Sequence, residues 1–143
     1  MKIYTIGYEA TTMAEFLAAL KAARVGRLID VRALPLSRRP GFSKNTLAAT
    51  LKDAGVEYVH LRHLGTPKPG RDAAKKGDVA TLEAVYDAQL GLPEAQAEAA
   101  KMRALAAEKP SALLCYERNP EHCHRSLLLD AEGEGMEVVD LYP

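Results

Sequence analysis

Residues 113–129 read LLCYERNPEHCHRSLLL, and this stretch decides the fold. It continues an apolar run that begins at Ser111, breaks at Asn119-Pro120, and returns to regular structure at Arg125. A near-continuous apolar run from Ser111 to Tyr116, bounded by turn residues, predicts a central strand covered on both faces. Both cysteines, two of the four histidines, two glutamates and two arginines crowd into the same 113–129 window. An apolar strand ending among ionisable groups is where an α/β domain keeps its ligand.

The rest of the chain alternates in the same way. Ile3 to Tyr8 predicts a first strand. Thr12 and Glu15 form a capping box ahead of a helix whose Met13, Phe16, Leu17 and Leu20 share one face. Residues 28–32 predict a second strand, and 35–42 an irregular loop rich in Pro and Gly. Ser43 is a candidate N-cap for a helix burying Leu47 and Leu51, and Val56 to Leu61 predict a third strand. Residues 65–77, with Gly65, Pro67, Pro69, Gly70 and Gly77, read as a long polar loop, a candidate lid. Helices over about 78–90 and 93–108 follow, then the Ser111–Tyr116 strand, a short helix near 124–132 and a last strand from Met136 to Tyr142. This order predicts one domain over residues 1–143, a three-layer α/β/α architecture with a mostly parallel, Rossmann-like sheet of about five strands.

Composition narrows the class. With 48% apolar residues and no apolar run near the roughly 18 needed to cross a bilayer, no membrane span is expected. No stretch reads as a signal peptide, so a cytoplasmic protein with two free thiols is the expectation. The net charge of zero conceals an asymmetry: residues 1–77 carry 14 Lys/Arg against 6 Asp/Glu, and residues 78–143 carry 5 against 13. A basic half can attract phosphate or nucleic acid, or it can simply be neutralised by the acidic half. Tyr4, Tyr8, Tyr58 and Phe42 are too few and scattered to build a stacking platform for single-stranded nucleic acid.

In a parallel sheet the ligand sits beyond the carboxyl ends of the strands. Those ends carry Gly7-Tyr8-Glu9, Asp30-Val31-Arg32, Leu64-Gly65 and Cys115-Tyr116-Glu117. Asp30 and Arg32 lie two apart and share a face, either as an arginine offered to an anion or as a pair that orients the next loop. Ser37 and Arg38 can join the same anion site. Cys123, His124 and Arg125 fall at a helix N-terminus, which favours negative charge and lowers a thiol pKa. The analogy with a cysteine–arginine loop of the phosphatase or sulfurtransferase kind fails on spacing, because nine residues separate Cys115 from Arg125 and one separates Cys123 from it. For a metal, Cys115, His122, Cys123 and His124 are available donors, but no C-x-x-C pair is present and the adjacent Cys123 and His124 argue against a shared ion. Cys115 also suits a core strand as a small buried hydrophobe. Glu117, at the mouth of an apolar strand, is the leading acid/base, its alternative being a salt bridge between loop and helix. His60 and His63 read as lining.

Taken in order, Thr5-Ile6-Gly7, then Asp30-Val31-Arg32 with Pro35, Ser37, Arg38 and Phe42, then Tyr58 and Leu64-Gly65, then Cys115, Glu117 and Cys123-His124-Arg125, resemble the motifs of the domain of unknown function 488 (DUF488) family. The resemblance runs over nearly the whole chain and implies the α/β fold and a site shared by the two densest motif blocks. It implies no reaction, since the activity of that family is not established. The chain departs from the family pattern at Tyr8-Glu9, where a His-Ser pair is typical, and at Leu64-Gly65-Thr66, where Leu-Gly-Gly is common.

The functional expectation is therefore a pocket for an anionic small molecule or nucleic acid. Arg32, Ser37, Arg38, Gly65, His124 and Arg125 would bind it, with Glu117 or Asp30 as acid/base and Cys123 as a thiolate. Replacing Arg32 or Arg125 by Ala is expected to remove binding at little cost in stability. The alternatives are a non-catalytic binding module using Lys68, Arg71, Lys75 and Lys76, or a thiol or metal sensor built on Cys115 and Cys123. No pattern names a cofactor, a protein partner or an oligomeric state.

Overall fold

The computed structural model describes residues 1–143 apart from the side chain of His122. Its sheet has five strands: β1 (Lys2–Gly7), β2 (Arg27–Asp30), β3 (Glu57–His60), β4 (Ser111–Cys115) and β5 (Glu137–Leu141). They lie in the order β3-β2-β4-β1-β5, and every pairing is parallel. Six helices connect them: α1 (Met13–Ala22), α2 (Lys44–Asp53), α3 (Lys68–Lys76), α4 (Val79–Leu90), α5 (Pro93–Glu108) and α6 (His124–Glu132). Among the described residues no helix is long and apolar enough to cross a membrane.

The three layers follow from the two-residue period of the strands. On β4, Leu113 turns to one face while Ala112 and Leu114 turn to the other; on β2, Ile29 and Leu28 divide in the same way. The first face is covered by Tyr86 and Leu90 of α4, Ala99 and Met102 of α5, and Leu128 and Leu129 of α6. The second is covered by Phe16 and Leu20 of α1 and Leu47 and Leu51 of α2. β4 is buried along its whole length, as a strand with neighbours on both edges and helices on both faces must be.

From β1 the chain steps through β2 to the β3 edge under α1 and α2, then returns across the opposite face to β4 and on to β5. Right-handed crossovers require this change of face when the direction of travel reverses. The reversal places β4 between β1 and β2, so the ends of these three strands form the crevice where such sheets bind ligands.

The α1 capping box is present in full: Thr12 Oγ1 accepts from Glu15 N at 3.1 Å, and Glu15 Oε1 accepts from Thr12 N at 3.0 Å. Thr12→Ala is expected to cost about 1 kcal/mol. A thermal melt should register this as a loss of a few degrees.

One element differs from the sequence reading. Residues 65–77 are not a long loop, for Lys68–Lys76 is helical. Its Pro and Gly residues mark helix ends. A proline in the first turn loses no intrahelical hydrogen bond, and Gly77 closes the helix in the left-handed region at φ 74°. Lys68 and Asp72 pair across one turn at 2.9 Å.

Candidate functional site

A cavity of about 860 Å³ opens at the carboxyl ends of β1, β2 and β4. Cys115, Glu117, Cys123 and His124 line its floor; Arg32, Ser37, Arg38 and Arg39 come from the segment after β2, and Arg71 and Lys75 from α3. Basic residues of two separate segments, 32–39 and 71–75, thus meet over the cysteine-bearing strand end. Leu34, Leu36 and Tyr116, all substantially exposed, add an apolar rim.

Arg32 is buried and held from four directions. Its Nε and Nη2 donate to the two Asp30 carboxylate oxygens at 2.9 and 2.8 Å, and Nη1 donates to Tyr8 Oη at 3.1 Å and to the Phe42 carbonyl at 2.8 Å. Tyr8 and Phe42 stack at 4.6 Å between ring centroids. Burial works against the guanidinium, but the Asp30 carboxylate outweighs it and raises the Arg32 pKa. Asp30 is fully buried, also accepts from Tyr58 Oη at 2.5 Å, and does not line the cavity. Burial and this carboxylate raise the Tyr58 pKa. The pair acts mainly as a brace: most of the Arg32 donors are spent on protein, so the anion-facing charge comes from Arg38, Arg39, Arg71 and Lys75. Losing Arg32 is therefore not the mild change that sequence alone suggests.

Ser37 shapes the loop. Its Oγ accepts from Arg39 N at 3.0 Å, and its backbone N–H donates to Ser43 Oγ at 3.0 Å, which explains why Ser43 does not cap α2 with its own side chain. Gly65 lies behind the cavity wall, where a Cβ would overlap the backbone of Ala33. Of the two outlying histidines, His60 Nε2 meets the Arg32 carbonyl at 2.8 Å and His63 Nδ1 meets Glu98 at 2.6 Å; neither lines the cavity.

Arg125 is completely buried and outside the lining. Its Nη2 donates to the Glu117 carbonyl, its Nε approaches Cys123 Sγ at 3.4 Å, and its backbone N–H approaches the same sulfur at 3.5 Å. Its charge acts on the thiols from behind and has no direct route to a ligand. Among the described residues the buried side-chain polar atoms without a partner are Arg125 Nη1 and Thr66 Oγ1, the latter on a residue that lines the cavity.

On the floor, His124 Nε2 lies 2.7 Å from the Val31 carbonyl, an acceptor only, so this nitrogen carries a proton. His124 Nδ1 then faces Cys115 Sγ at 3.6 Å and Cys123 Sγ at 3.9 Å. Burial opposes ionisation of Cys123, but Cys115 as a hydrogen-bond donor and the charges of His124 and Arg125 hold its pKa well below that of an ordinary thiol. Burial, with the neighbouring Cys123, pushes Cys115 well above it. Burial disfavours a charged His124, yet the Cys123 thiolate raises its pKa; burial and the same thiolate also raise Glu117. Cys115 Sγ lies 3.2 Å from Glu117 Oε2.

The spacing argument against a shared ion does not survive this geometry. Cys123 is the extended N-cap of α6, at φ −139° and ψ 156°, and His124 is the first helical residue. The change of backbone conformation between them lets both side chains turn to one point. The His122 side chain lies outside the described residues. Sequence reasoning missed Arg39, Thr66 and the Tyr8 hydroxyl. Arg39 falls in an acid-free run between Asp30 and Asp53, and Tyr8 stands at a strand end, but neither pattern assigned the side chain a role.

A family model described as Domain of unknown function DUF488 matches residues 12–131. The chain belongs to the DUF488 family. No curated protein and no solved structure matches it. The DUF488 match spans every cavity-lining residue from Arg32 to His124 and begins after Tyr8, Glu9 and Ala10, which also line the cavity.

Proposed function

We propose that this DUF488 protein binds a phosphate-bearing small molecule, nucleotide-like in having an apolar part, and that Glu117 moves a proton on it. The observation that carries this reading is the meeting of Arg38, Arg39, Arg71 and Lys75, from two separate segments, around one cavity whose floor holds Glu117. Planar guanidinium groups suit phosphate oxygens, and the exposed Leu34, Leu36 and Tyr116 at the rim suit a base or another flat apolar group.

A nucleic-acid strand would instead follow Lys68, Arg71, Lys75 and Lys76 along α3. Two features favour the small molecule: Arg71 and Lys75 turn into the cavity, and Lys68 is occupied by Asp72.

Calorimetric titration with inorganic phosphate, ribose 5-phosphate and adenosine monophosphate tests the reading. The nucleotide should bind most tightly. Arg38→Ala and Arg71→Ala should each weaken it by about 10-fold or more, the worth of one charge-assisted hydrogen bond, and Arg38→Ala should do so without altering the melting temperature. Binding of all three probes weaker than about 1 mM, which is only about 4 kcal/mol, would overturn it. Steeply salt-dependent binding of a single-stranded oligonucleotide, unaffected by Arg38→Ala, would do the same in favour of the binding module.

A further inference from the structure

We propose that Cys115, Cys123 and His124, the three donors that converge among the described residues, form a zinc site of the three-ligand, open type, with its fourth position facing the cavity. Zinc takes Cys sulfur at about 2.3 Å and His nitrogen at about 2.0–2.1 Å in tetrahedral geometry. Those bond lengths require sulfur–nitrogen edges of about 3.6 Å and a sulfur–sulfur edge of about 3.8 Å. The two edges from His124 Nδ1 are 3.6 Å and 3.9 Å, and all three donor atoms lie within 4.8 Å of one another. Both sulfur–nitrogen edges are close to those of a zinc tetrahedron, and the sulfur–sulfur edge is at most 4.8 Å.

The surroundings are those of a metal-bound thiolate pair. The Val31 carbonyl binds His124 Nε2–H at 2.7 Å, which orients the ring and leaves Nδ1 for a metal, as an outer hydrogen-bond partner does for most ligating histidines. Cys123 Sγ receives the backbone N–H and Nε–H of Arg125. Two thiolates and a neutral imidazole balance a divalent ion, while the buried Arg125 guanidinium offsets the Glu117 carboxylate. Without a metal, burial and the neighbouring Cys123 and Glu117 disfavour a Cys115 thiolate, a penalty that a divalent ion would offset, and the soft sulfur pair selects zinc over magnesium or calcium.

Structural zinc sites close with four protein ligands, whereas three ligands and an open position mark a catalytic one. Cys115, Cys123 and His124 all line the cavity, so the open corner points to the ligand space, with Glu117 beside it. Water or an oxygen of the bound anion would occupy that corner, and Glu117 is placed to accept the proton of a coordinated water. The metal site itself does not depend on the phosphate reading.

The full chain, stripped of metal and titrated with zinc against a chromophoric chelator, should bind one equivalent tightly, and cobalt substitution should give thiolate charge-transfer and tetrahedral visible bands. Cys123, the thiol of lowered pKa, should react with a thiol reagent faster in the stripped protein than once zinc is bound. Cys115→Ser, Cys123→Ser and His124→Asn should each lose more than about 100-fold in zinc affinity, beyond the roughly 10–100-fold typical of residues that only touch a ligand. Their far-ultraviolet dichroism should stay that of the stripped wild type. Glu117→Gln should keep one zinc. Folded wild type that takes up no zinc at micromolar concentration, or ligand variants that bind as wild type does, would overturn the site. Loss of zinc from Glu117→Gln would overturn the open fourth position. Phosphate binding that fails while zinc binding holds would refute only the proposed function.

Discussion

Arg32→Ala is expected to destabilise the protein by about 3–5 kcal/mol, because it removes one partner of a fully buried ion pair and strands the other. Asp30 would keep the Tyr58 hydroxyl but lose both guanidinium contacts, at 2.9 and 2.8 Å, in a site without solvent. The Phe42 carbonyl and Tyr8 hydroxyl would also lose their donor, which loosens the loop carrying Arg38 and Arg39. For a chain of this size the loss corresponds to roughly 10–20 °C in melting temperature. A control separates charge burial from packing: combining Arg32→Met with Asp30→Leu should recover much of the loss, since two apolar groups leave no charge unpaired. A fall of only a degree or two for Arg32→Ala would mean that the pair is not the brace described.

Gly7→Ala should have the next largest effect, because one methyl group there meets backbone. A Cβ on Gly7 would overlap the Glu117 carbonyl oxygen and carbon. Backbone cannot rotate aside as a flexible side chain can, so the cost lies at or above the upper end of overpacking, about 3 kcal/mol. The Glu117 carbonyl also receives Arg125 Nη2, and the loop after β4 is tied to β1 through Tyr8 N and Glu9 N donating to the Tyr116 carbonyl at 3.1 and 2.9 Å. Pushing this loop away would move Glu117 and Arg125 together and spread the floor of the cavity. The expected readouts are a lower urea midpoint with an unchanged slope and a zinc affinity reduced beyond what stability alone would cause. Wild-type stability would mean that the close approach of β1 to the loop is relaxed in solution.

Two of the faults in the sequence reading share one physical origin. Pro67, Pro69, Gly70 and Gly77 look like loop residues when counted, yet a proline in a first turn and a glycine just past a last turn are favourable to a helix. Position within the element, which composition does not carry, decides between the two. Likewise Cys123 and His124 look too close in sequence to share an ion, and they converge only because the backbone changes conformation between an extended N-cap and a helical residue. Gly7 and Gly65 could be seen at strand ends, but the backbone that each accommodates comes from a distant segment, Glu117 and Ala33 respectively.

By itself the sequence determined the layering. The two-residue period of Leu28/Ile29 and Ala112/Leu113/Leu114, alternating with helical periods, leaves little but a parallel sheet covered on both faces, and strand ends rich in charge then locate the site. These are local properties, written in neighbouring residues. Which arginine faces the ligand and which is spent within the protein is not local. Arg32, Arg38, Arg71 and Arg125 look alike in sequence. Burial beside Asp30 makes the first a brace, burial behind Cys123 makes the last an electrostatic support, and exposure leaves Arg38 and, in part, Arg71 to the cavity. The same holds for Cys115, Cys123 and His124, whose meeting depends on β4, the turn after it and α6 closing together. Only the tertiary structure could decide this, because burial and distance belong to pairs of segments.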